Sequence, residues 1–326
     1  MELRPFGPTG LRVSEIGLGC ARLGGVFQGE AAGFLDVLSA ALDAGINFFD
    51  TADMYSQGES EILLGRALRG RRDGVVIATK AGYRLPAQRR LAGRLKPLLR
   101  PLARALGLRR ENLPAAVRGE PSQDFSPEYL KRSLEGSLRR LQTDRIELFQ
   151  LHSPPAEIVA RGEWVQALEA LKREGKILHY GVSCDAADAA LAALSLPGVS
   201  SLQLRINLLD QRMVGLLPAA RARGVGVIAR ECLANGLLVK DEVDLSRYCA
   251  SPEEAEERAA QLVTYRKQAA ESGFTLAQVA MRYVTALEGV SVALVGARTP
   301  AQLQGLLREL ASEPPLSFGD TIRQVT

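Results

Sequence analysis

The stretch NFFDTADMYSQGESEILLGRAL, residues 47–68, decides the fold of this chain. Residues 46–49 are apolar and predict a short strand, and the apolar residues near the end of the stretch predict a helix over 59–69. Asp50 and Tyr55 lie between them. A strand that ends at a carboxylate, followed by a loop and a helix, is typical of a βα unit that presents polar groups at the carboxyl end of a sheet or barrel. A capped strand end beside a half-buried tyrosine is the plainer interpretation of these residues.

Two further apolar segments end on a side chain that can bear a positive charge. VVIATK ends on Lys80, and ELFQLHSP places His152, one of two histidines in the chain, just after its apolar run. Parallel strands bring their carboxyl ends to the same edge of a sheet or barrel. We therefore expect these two side chains to meet Asp50 and Tyr55 in one site.

These residues, together with three later motifs, resemble the aldo-keto reductase superfamily. The later motifs are GVS (181–183), Gln203 and GARTPAQL (296–303), and the resemblance runs from GLG (17–19) to Leu306. A set of aspartate, tyrosine, lysine and histidine on separate strand ends is far more specific than any single motif. The resemblance implies a barrel fold, the cofactor NADP(H) and a small-molecule carbonyl substrate.

The fold class also follows from a regular alternation of strands and helices. Strands are predicted at 16–19, 46–49, 75–79, 146–151, 178–182, 200–204, 225–229 and 291–295. Helices are predicted at 31–44, 59–69, 127–141, 163–174, 186–195, 213–222 and 300–311. This pattern is typical of an α/β fold with a (β/α)8 TIM barrel, and a doubly wound sheet is the alternative.

Two details refine this prediction. The turn FGPTG predicts an N-terminal β-hairpin within residues 2–14. The dinucleotide fingerprint G-x-G-x-x-G would need a glycine where the chain has Arg22, so a Rossmann fold loses its main support. We expect residues 1–326 to form a single domain.

The chemistry of carbonyl reduction explains why these residue types would occur together. Hydride transfer to a carbonyl requires a proton for the oxygen near neutral pH, whereas an ordinary tyrosine has a pKa of about 10. Lys80 beside Tyr55 would lower that pKa, and Asp50 would hold the ammonium in place. His152 would orient the substrate carbonyl or relay the proton. The resemblance assigns the role of general acid to Tyr55.

The resemblance also implies which residues bind the cofactor. Ser183 and Gln203 correspond to residues that bind the nicotinamide carboxamide, although a helix cap and a polar strand residue are the plainer interpretations. Cys184 replaces a usual asparagine, Arg230 takes a position that stacks on the ring, and Glu231 either pairs with Arg230 or is solvated. The complete set comprises Gly19, Cys20, Asp50, Ser183, Cys184, Gln203, Arg230, Glu231, Cys232, Leu233, Gly236, Gly296, Arg298 and Gln302.

The motif that begins at Gly296 resembles a clamp for the adenosine end of the cofactor. Backbone N–H groups at a helix start can contact phosphate, and Arg298 is placed to pair with a 2'-phosphate. Gln302 matches a helix contact of the family, whereas Leu306 replaces the usual asparagine. These features predict a preference for NADP(H) over NAD(H).

Composition excludes several other classes of protein. A net charge of +4 over 326 residues argues against nucleic-acid binding as the main role. Four cysteines without C-x-x-C spacing predict a reducing compartment. The two histidines lie 27 residues apart and no cysteine pairs closely with either, which leaves too few ligands for zinc. No apolar run has the length of a signal peptide or a membrane span, so we expect a cytoplasmic protein, in which oligomers are possible.

Residues 83–120 form a predicted insertion, far longer than a usual βα loop. From Arg84 to Arg118 ten basic residues stand against one acidic residue, and leucines recur at helical spacing between prolines. Short basic amphipathic helices are expected. Because the insertion follows Lys80, it must leave from the carboxyl end of the barrel, where both a lid over the pocket and a solvated excursion are consistent with it.

Three functions compete on this basis. The leading hypothesis is an NADP(H)-dependent reductase of an aldehyde, ketone or sugar-like carbonyl. The alternative is a cofactor-binding regulatory or interaction protein of the same fold with little turnover. A third is a nucleic-acid or acidic-membrane binder that acts through the basic insertion.

Overall fold

The computed structural model describes residues 1, 3–21, 31–84, 122–240 and 243–311. Its strands are β1 (Leu3–Pro5), β2 (Arg12–Ser14), β3 (Ile16–Gly19), β4 (Phe48–Asp50), β5 (Val76–Ala81), β6 (Tyr83–Arg84), β7 (Ser122–Gln123), β8 (Ile146–His152), β9 (Ile177–Ser183), β10 (Val199–Arg205), β11 (Gly226–Arg230) and β12 (Val290–Val295). Its helices are α1 (Ala31–Asp43), α2 (Glu59–Ala67), α3 (Pro127–Leu141), α4 (Ala156–Arg161), α5 (Glu163–Arg173), α6 (Ala187–Leu194), α7 (Leu217–Ala222), α8 (Pro252–Glu271), α9 (Leu276–Ala286) and α10 (Pro300–Ala311).

Eight parallel strands close into a barrel in the order β10, β11, β12, β3, β4, β5, β8 and β9. The predicted (β/α)8 barrel is therefore confirmed. The doubly wound alternative is wrong, because β9 pairs with β10 and leaves no open sheet edge. Each predicted barrel strand lies within two residues of its observed bounds.

The N-terminal hairpin closes one end of the barrel. β1 and β2 pair antiparallel, with Leu3 opposite Ser14. The fully buried ring of Phe6 packs against Phe48 inside the barrel, with ring centroids 6.0 Å apart. A Cβ at Gly226 would lie 2.8 Å from the Phe6 ring. The buried position of Phe6 therefore requires glycine at residue 226.

The two-residue period of the strands places the polar site residues inside the barrel. Phe48, Ala78 and Leu148 belong to the inner apolar cluster. Asp50 lies two residues after Phe48 on β4, and Lys80 lies two residues after Ala78 on β5. Both therefore face the interior of the barrel. His152 follows Leu148 by four residues on β8 and also faces inward. The strands therefore change from an apolar interior to a polar one at their carboxyl ends.

Every predicted helix is present, although the one before β11 is divided. Helix α3 has the predicted bounds, whereas 213–222 divides into a 3₁₀ turn and α7, which has a proline in its first turn. Helices α4, α8 and α9 were not predicted. Helix α9 begins with a capping box, in which Thr275 and Gln278 satisfy each other's backbone N–H groups. This signal was present in the sequence.

The predicted insertion leaves the carboxyl end of β5. Its first residues form β6, which pairs antiparallel with β7 so that Tyr83 lies opposite Gln123. The basic helices and the lid were predicted for a segment that includes residues 85–121. These residues lie outside the described part of the chain, so both stay predictions. Within the described ranges no helix is both long enough and apolar enough to cross a membrane.

Helix α2, which follows the loop with Tyr55, is fixed against its neighbours by a buried carboxylate and by close packing. Glu61 has no exposed surface; it accepts a hydrogen bond from Thr79 Oγ1 at 2.7 Å and pairs with Arg140 Nε at 2.6 Å. One turn later, Gly65 faces the end of α3, where its missing side chain lets α2 and α3 approach each other.

Gly65→Ala is expected to lower the free energy of unfolding by about 1–3 kcal/mol, because its Cβ would lie 2.5 Å from the Leu141 carbonyl oxygen. In the control Gly305→Ala on α10, the Cβ meets nothing within 4 Å. Helix propensity should then raise stability by up to about 1 kcal/mol. Urea unfolding followed by circular dichroism measures both, and equal effects would contradict the close packing.

Candidate active site

Tyr55 is placed by a tight reversal of the backbone between β4 and α2. Ser56, Gln57 and Gly58 have φ angles of 50°, 62° and 85°, three successive left-handed residues. This conformation is unfavourable for residues with a side chain and is concentrated at functional sites. The reversal turns the chain directly into α2, where Ser60 Oγ donates to the Cys20 carbonyl at 2.9 Å. The tyrosine is therefore held at the barrel rim.

Lys80 joins the predicted residues of β4 and its loop. Its Nζ lies 2.8 Å from Asp50 Oδ2 and donates to the Thr51 carbonyl at 3.0 Å and to Tyr55 Oη at 3.4 Å. The Lys80 side chain has no exposed surface, and that of Asp50 is 6% exposed. The structure therefore brings together the aspartate, tyrosine and lysine that the sequence singled out.

The protonation of this group follows from burial and from its neighbours. Burial raises the pKa of Tyr55 above its ordinary value, while Lys80 acts in the opposite direction. Burial disfavours the charged form of Lys80, but Asp50 and Tyr55 outweigh it and raise the lysine pKa. The prediction that Lys80 lowers the tyrosine pKa has the right sign for that one interaction, but the net pKa is raised because burial is the larger effect.

His152 lies beside Tyr55 at the end of β8. The two rings meet edge to face with centroids 5.6 Å apart. Burial, together with the charges of Lys80 and Arg230, holds the pKa of His152 well below its ordinary range, so the imidazole is neutral at physiological pH. Its Nδ1 is buried and has no hydrogen-bond partner among the described residues.

Ser183 and Gln203 extend the polar group across the barrel. Ser183 Oγ donates to Gln203 Oε1 at 3.0 Å, and Gln203 Nε2 donates to Asp50 Oδ1 at 2.7 Å. Both residues are buried. The two predicted carboxamide-binding residues are thus linked through Asp50 to Lys80.

Arg230, at the end of β11, is held between two carboxylates. Its Nη1 pairs with Glu231, and its Nη2 pairs with Asp185 and donates to the Cys184 carbonyl at 3.4 Å. The pairing with Glu231 was one of the predicted possibilities. Asp185 was not predicted as a site residue. Its position two residues after the end of β9, at the carboxyl end of a barrel strand, could have indicated it.

The three cysteines assigned to the cofactor lie with their thiols in the core. Cys20, Cys184 and Cys232 have no exposed surface, and burial raises the pKa of each thiol, that of Cys232 to about 12. The Cys184 thiol lies 3.8 Å from the Val182 carbonyl. Leu233 and Gly236, in the loop after β11, are partly exposed.

The other predicted cofactor residues lie at the ends of two more barrel strands. Gly19 ends β3 and is partly exposed, and Gly296 follows β12. Gly296, Arg298 and Gln302 are exposed at the start of α10, where Gln302 Oε1 accepts the backbone N–H of Arg298 at 2.9 Å. A Cβ at Gly296 would meet no atom within 4 Å, so its backbone faces open space.

Two further residues at this site were not predicted. Tyr83 packs edge to face on His152, with ring centroids 4.9 Å apart. Asp53, between Asp50 and Tyr55, accepts a hydrogen bond from Ser133 Oγ at 2.5 Å. Burial raises the pKa of Asp53 to about 7. Neither contact could be inferred from spacing, because each partner comes from a different part of the chain.

The raised pKa of Asp53 predicts a specific pH dependence of stability. Its protonated form contributes stability that is fully present below the unfolded pKa of about 3.9 and is lost as pH rises through about 7. Because Asp53→Asn stays neutral, its effect on stability should become more favourable between pH 4 and pH 8, by up to about 4 kcal/mol for a shift of about three pKa units. Chemical denaturation at both pH values measures this. Asp73→Asn, at an exposed position, is the control, and a pH-independent effect of Asp53→Asn would contradict the assignment.

Known proteins resemble this chain over nearly its full length. Residues 15–318 match the model of the aldo/keto reductase family. The chain is 33% identical to the uncharacterised oxidoreductase YrpG of Bacillus subtilis (strain 168), covering 94% of this chain and 90% of the relative. It is 30% identical to D-threo-aldose 1-dehydrogenase of a Pseudomonas species, covering 94% and 92%.

A solved structure agrees with these relatives. The holo form of an aldo-keto reductase from Bacillus halodurans superimposes with a TM-score of 0.81 at 27% identity, covering 100% of this chain and 96% of that one. The family model, the relatives and the barrel all lead to one assignment. This chain belongs to the aldo/keto reductase family.

Proposed function

We propose that this protein is an NADP(H)-dependent oxidoreductase that reduces the carbonyl of an aldehyde, ketone or sugar-like substrate to an alcohol, with Tyr55 as general acid. The observation that carries the proposal is the contact of the buried Lys80 ammonium with both Asp50 and Tyr55. The sugar-like class is supported by the relative named D-threo-aldose 1-dehydrogenase.

The residues divide the work of proton transfer. Tyr55 carries its proton at neutral pH and can donate it to a carbonyl oxygen, although burial makes the free phenol a weaker acid than usual. The Lys80 ammonium stabilises the phenolate that donation leaves behind, and Asp50 keeps that ammonium oriented. The neutral His152 can donate a hydrogen bond to the substrate oxygen without adding charge.

The described residues fit a nicotinamide cofactor, which supplies the hydride when bound. Ser183 and Gln203 place hydroxyl and amide groups on the inner wall next to Asp50. At the start of α10, the open space beside Gly296 allows a ligand to approach the backbone. Arg298 is exposed there and can pair with a 2'-phosphate.

Tyr55→Phe is expected to reduce turnover of carbonyl substrates by about 100-fold to 10,000-fold, because it removes the proton donor and little else. Cofactor affinity should remain nearly unchanged. Steady-state NADPH oxidation against a panel of aldehydes, ketones and sugars, with cofactor titration, tests both statements. The control is Tyr248→Phe, at an exposed position. Wild-type turnover in Tyr55→Phe would disprove the acid role, and little turnover by the wild type itself would favour a regulatory protein of the same fold.

Arg298→Ala is expected to weaken NADPH binding by about 10-fold to 100-fold, the effect of losing a charge-assisted hydrogen bond. NADH affinity should change little, because NADH has no 2'-phosphate. The matched control is Arg308→Ala, which removes the same charge from the last turn of α10. Equal weakening of both cofactors in Arg298→Ala would exclude this contact.

A further inference from the structure

Four charged side chains form an alternating row along the carboxyl ends of β9, β10 and β11. In order they are Asp185, Arg230, Glu231 and Arg205. Glu231 bridges the two guanidinium groups, with its Oε2 3.3 Å from Arg205 Nε. We call this set the rim cluster. Its two positive and two negative charges cancel.

The rim cluster faces the reacting groups through Arg230. Ile228, two residues earlier on β11, lies in the inner cluster of the barrel, so Arg230 points to the same interior side. Its side chain is 17% exposed, and its charge acts on both Tyr55 and His152. A ring that exchanges hydride with a carbonyl held by Tyr55 must therefore lie within electrostatic reach of Arg230.

The charge of that ring depends on its oxidation state. A nicotinamide ring is cationic when oxidised and neutral when reduced, so an unpaired guanidinium beside it would disfavour the oxidised form. The carboxylates of Asp185 and Glu231 cancel this repulsion. We propose that these two carboxylates set the relative affinity of the site for NADP⁺ and NADPH, an inference that rests on the proposed nicotinamide cofactor.

Stability alone does not account for the pairing. The Asp185 side chain is 54% exposed, and ion pairs this exposed contribute little to folding. Glu231 adopts a left-handed backbone with φ of 56°, which is unfavourable for a residue with a side chain. Asn235 Nδ2 and Asn207 Nδ2 hold it there, each donating to Glu231 at 3.0 Å. Such strain at a ligand site indicates a positional requirement.

The neighbouring charges do not change this balance. Asp210 lies 3.9 Å from Arg205, but it makes a closer pair with Arg212 at 2.7 Å. The buried charges of Lys80 and Asp50 pair with each other. Neutralising Asp185 should therefore leave one uncompensated positive charge next to the ring.

Titration calorimetry with NADP⁺ and with NADPH tests the proposal on the full-length protein without substrate. In Asp185→Asn, the affinity for NADP⁺ should fall relative to that for NADPH by about 3-fold to 10-fold, and the shift should shrink at high salt. Asp185→Glu should restore the wild-type ratio. Asp188→Asn removes the same charge from an exposed position three residues away and should leave the ratio unchanged.

The outcomes separate this inference from the proposed function. Equal weakening of both oxidation states in Asp185→Asn would mean that the carboxylate only positions Arg230, and would overturn the inference. Binding of both forms with an unchanged ratio would overturn it as well, while leaving the proposed function intact. Failure of the wild type to bind either form would overturn the proposed function and this inference together.

Discussion

The fully buried ammonium of Lys80 is the constraint on which the rest of the site depends. A buried charge is tolerated only when it is paired and hydrogen-bonded, because removing it from water is unfavourable by several kcal/mol. The three donors of Lys80 find acceptors on Asp50, Thr51 and Tyr55. All three acceptors come from the end of β4 and the loop after it. The parallel pairing of β4 with β5, which sets Asp50 opposite Ala78, brings that segment to the lysine.

The same constraint spreads across the barrel through the second oxygen of Asp50. That oxygen accepts a hydrogen bond from Gln203, which in turn accepts one from Ser183. The pairing of β9 with β10 places Ser183 next to Gln203 in register. Closure of the barrel is therefore what completes the hydrogen bonding of the buried ion pair. An open sheet with the same strands would leave β9 and β10 unable to reach β4 in this way.

The sequence was sufficient for the features that depend on local pattern. Apolar runs that end on Asp50, Lys80 and His152 located three strand ends, and the closed barrel then brought the side chains together. Helix α8 was missed, because charged residues are distributed along much of its length. Helix α9 was missed despite the capping box at Thr275.

The features that depend on tertiary distance and burial could not be predicted. The pairing of Asp185 with Arg230 joins two strand ends that are distant in sequence. The net pKa of Tyr55 depends on how much burial opposes Lys80, and the sequence shows only that the lysine is present. The partly buried contact of Asp53 with Ser133 likewise joins a loop to a helix far along the chain.

The site thus contains two charge systems in different surroundings. The pair of Asp50 and Lys80 is buried, so dissolved salt screens it weakly. The rim cluster is partly exposed, with Arg205 at 36%, and responds to both salt and substitution. Arg230 belongs to the rim cluster and its charge also acts on Tyr55 and His152, so it couples the two charge systems.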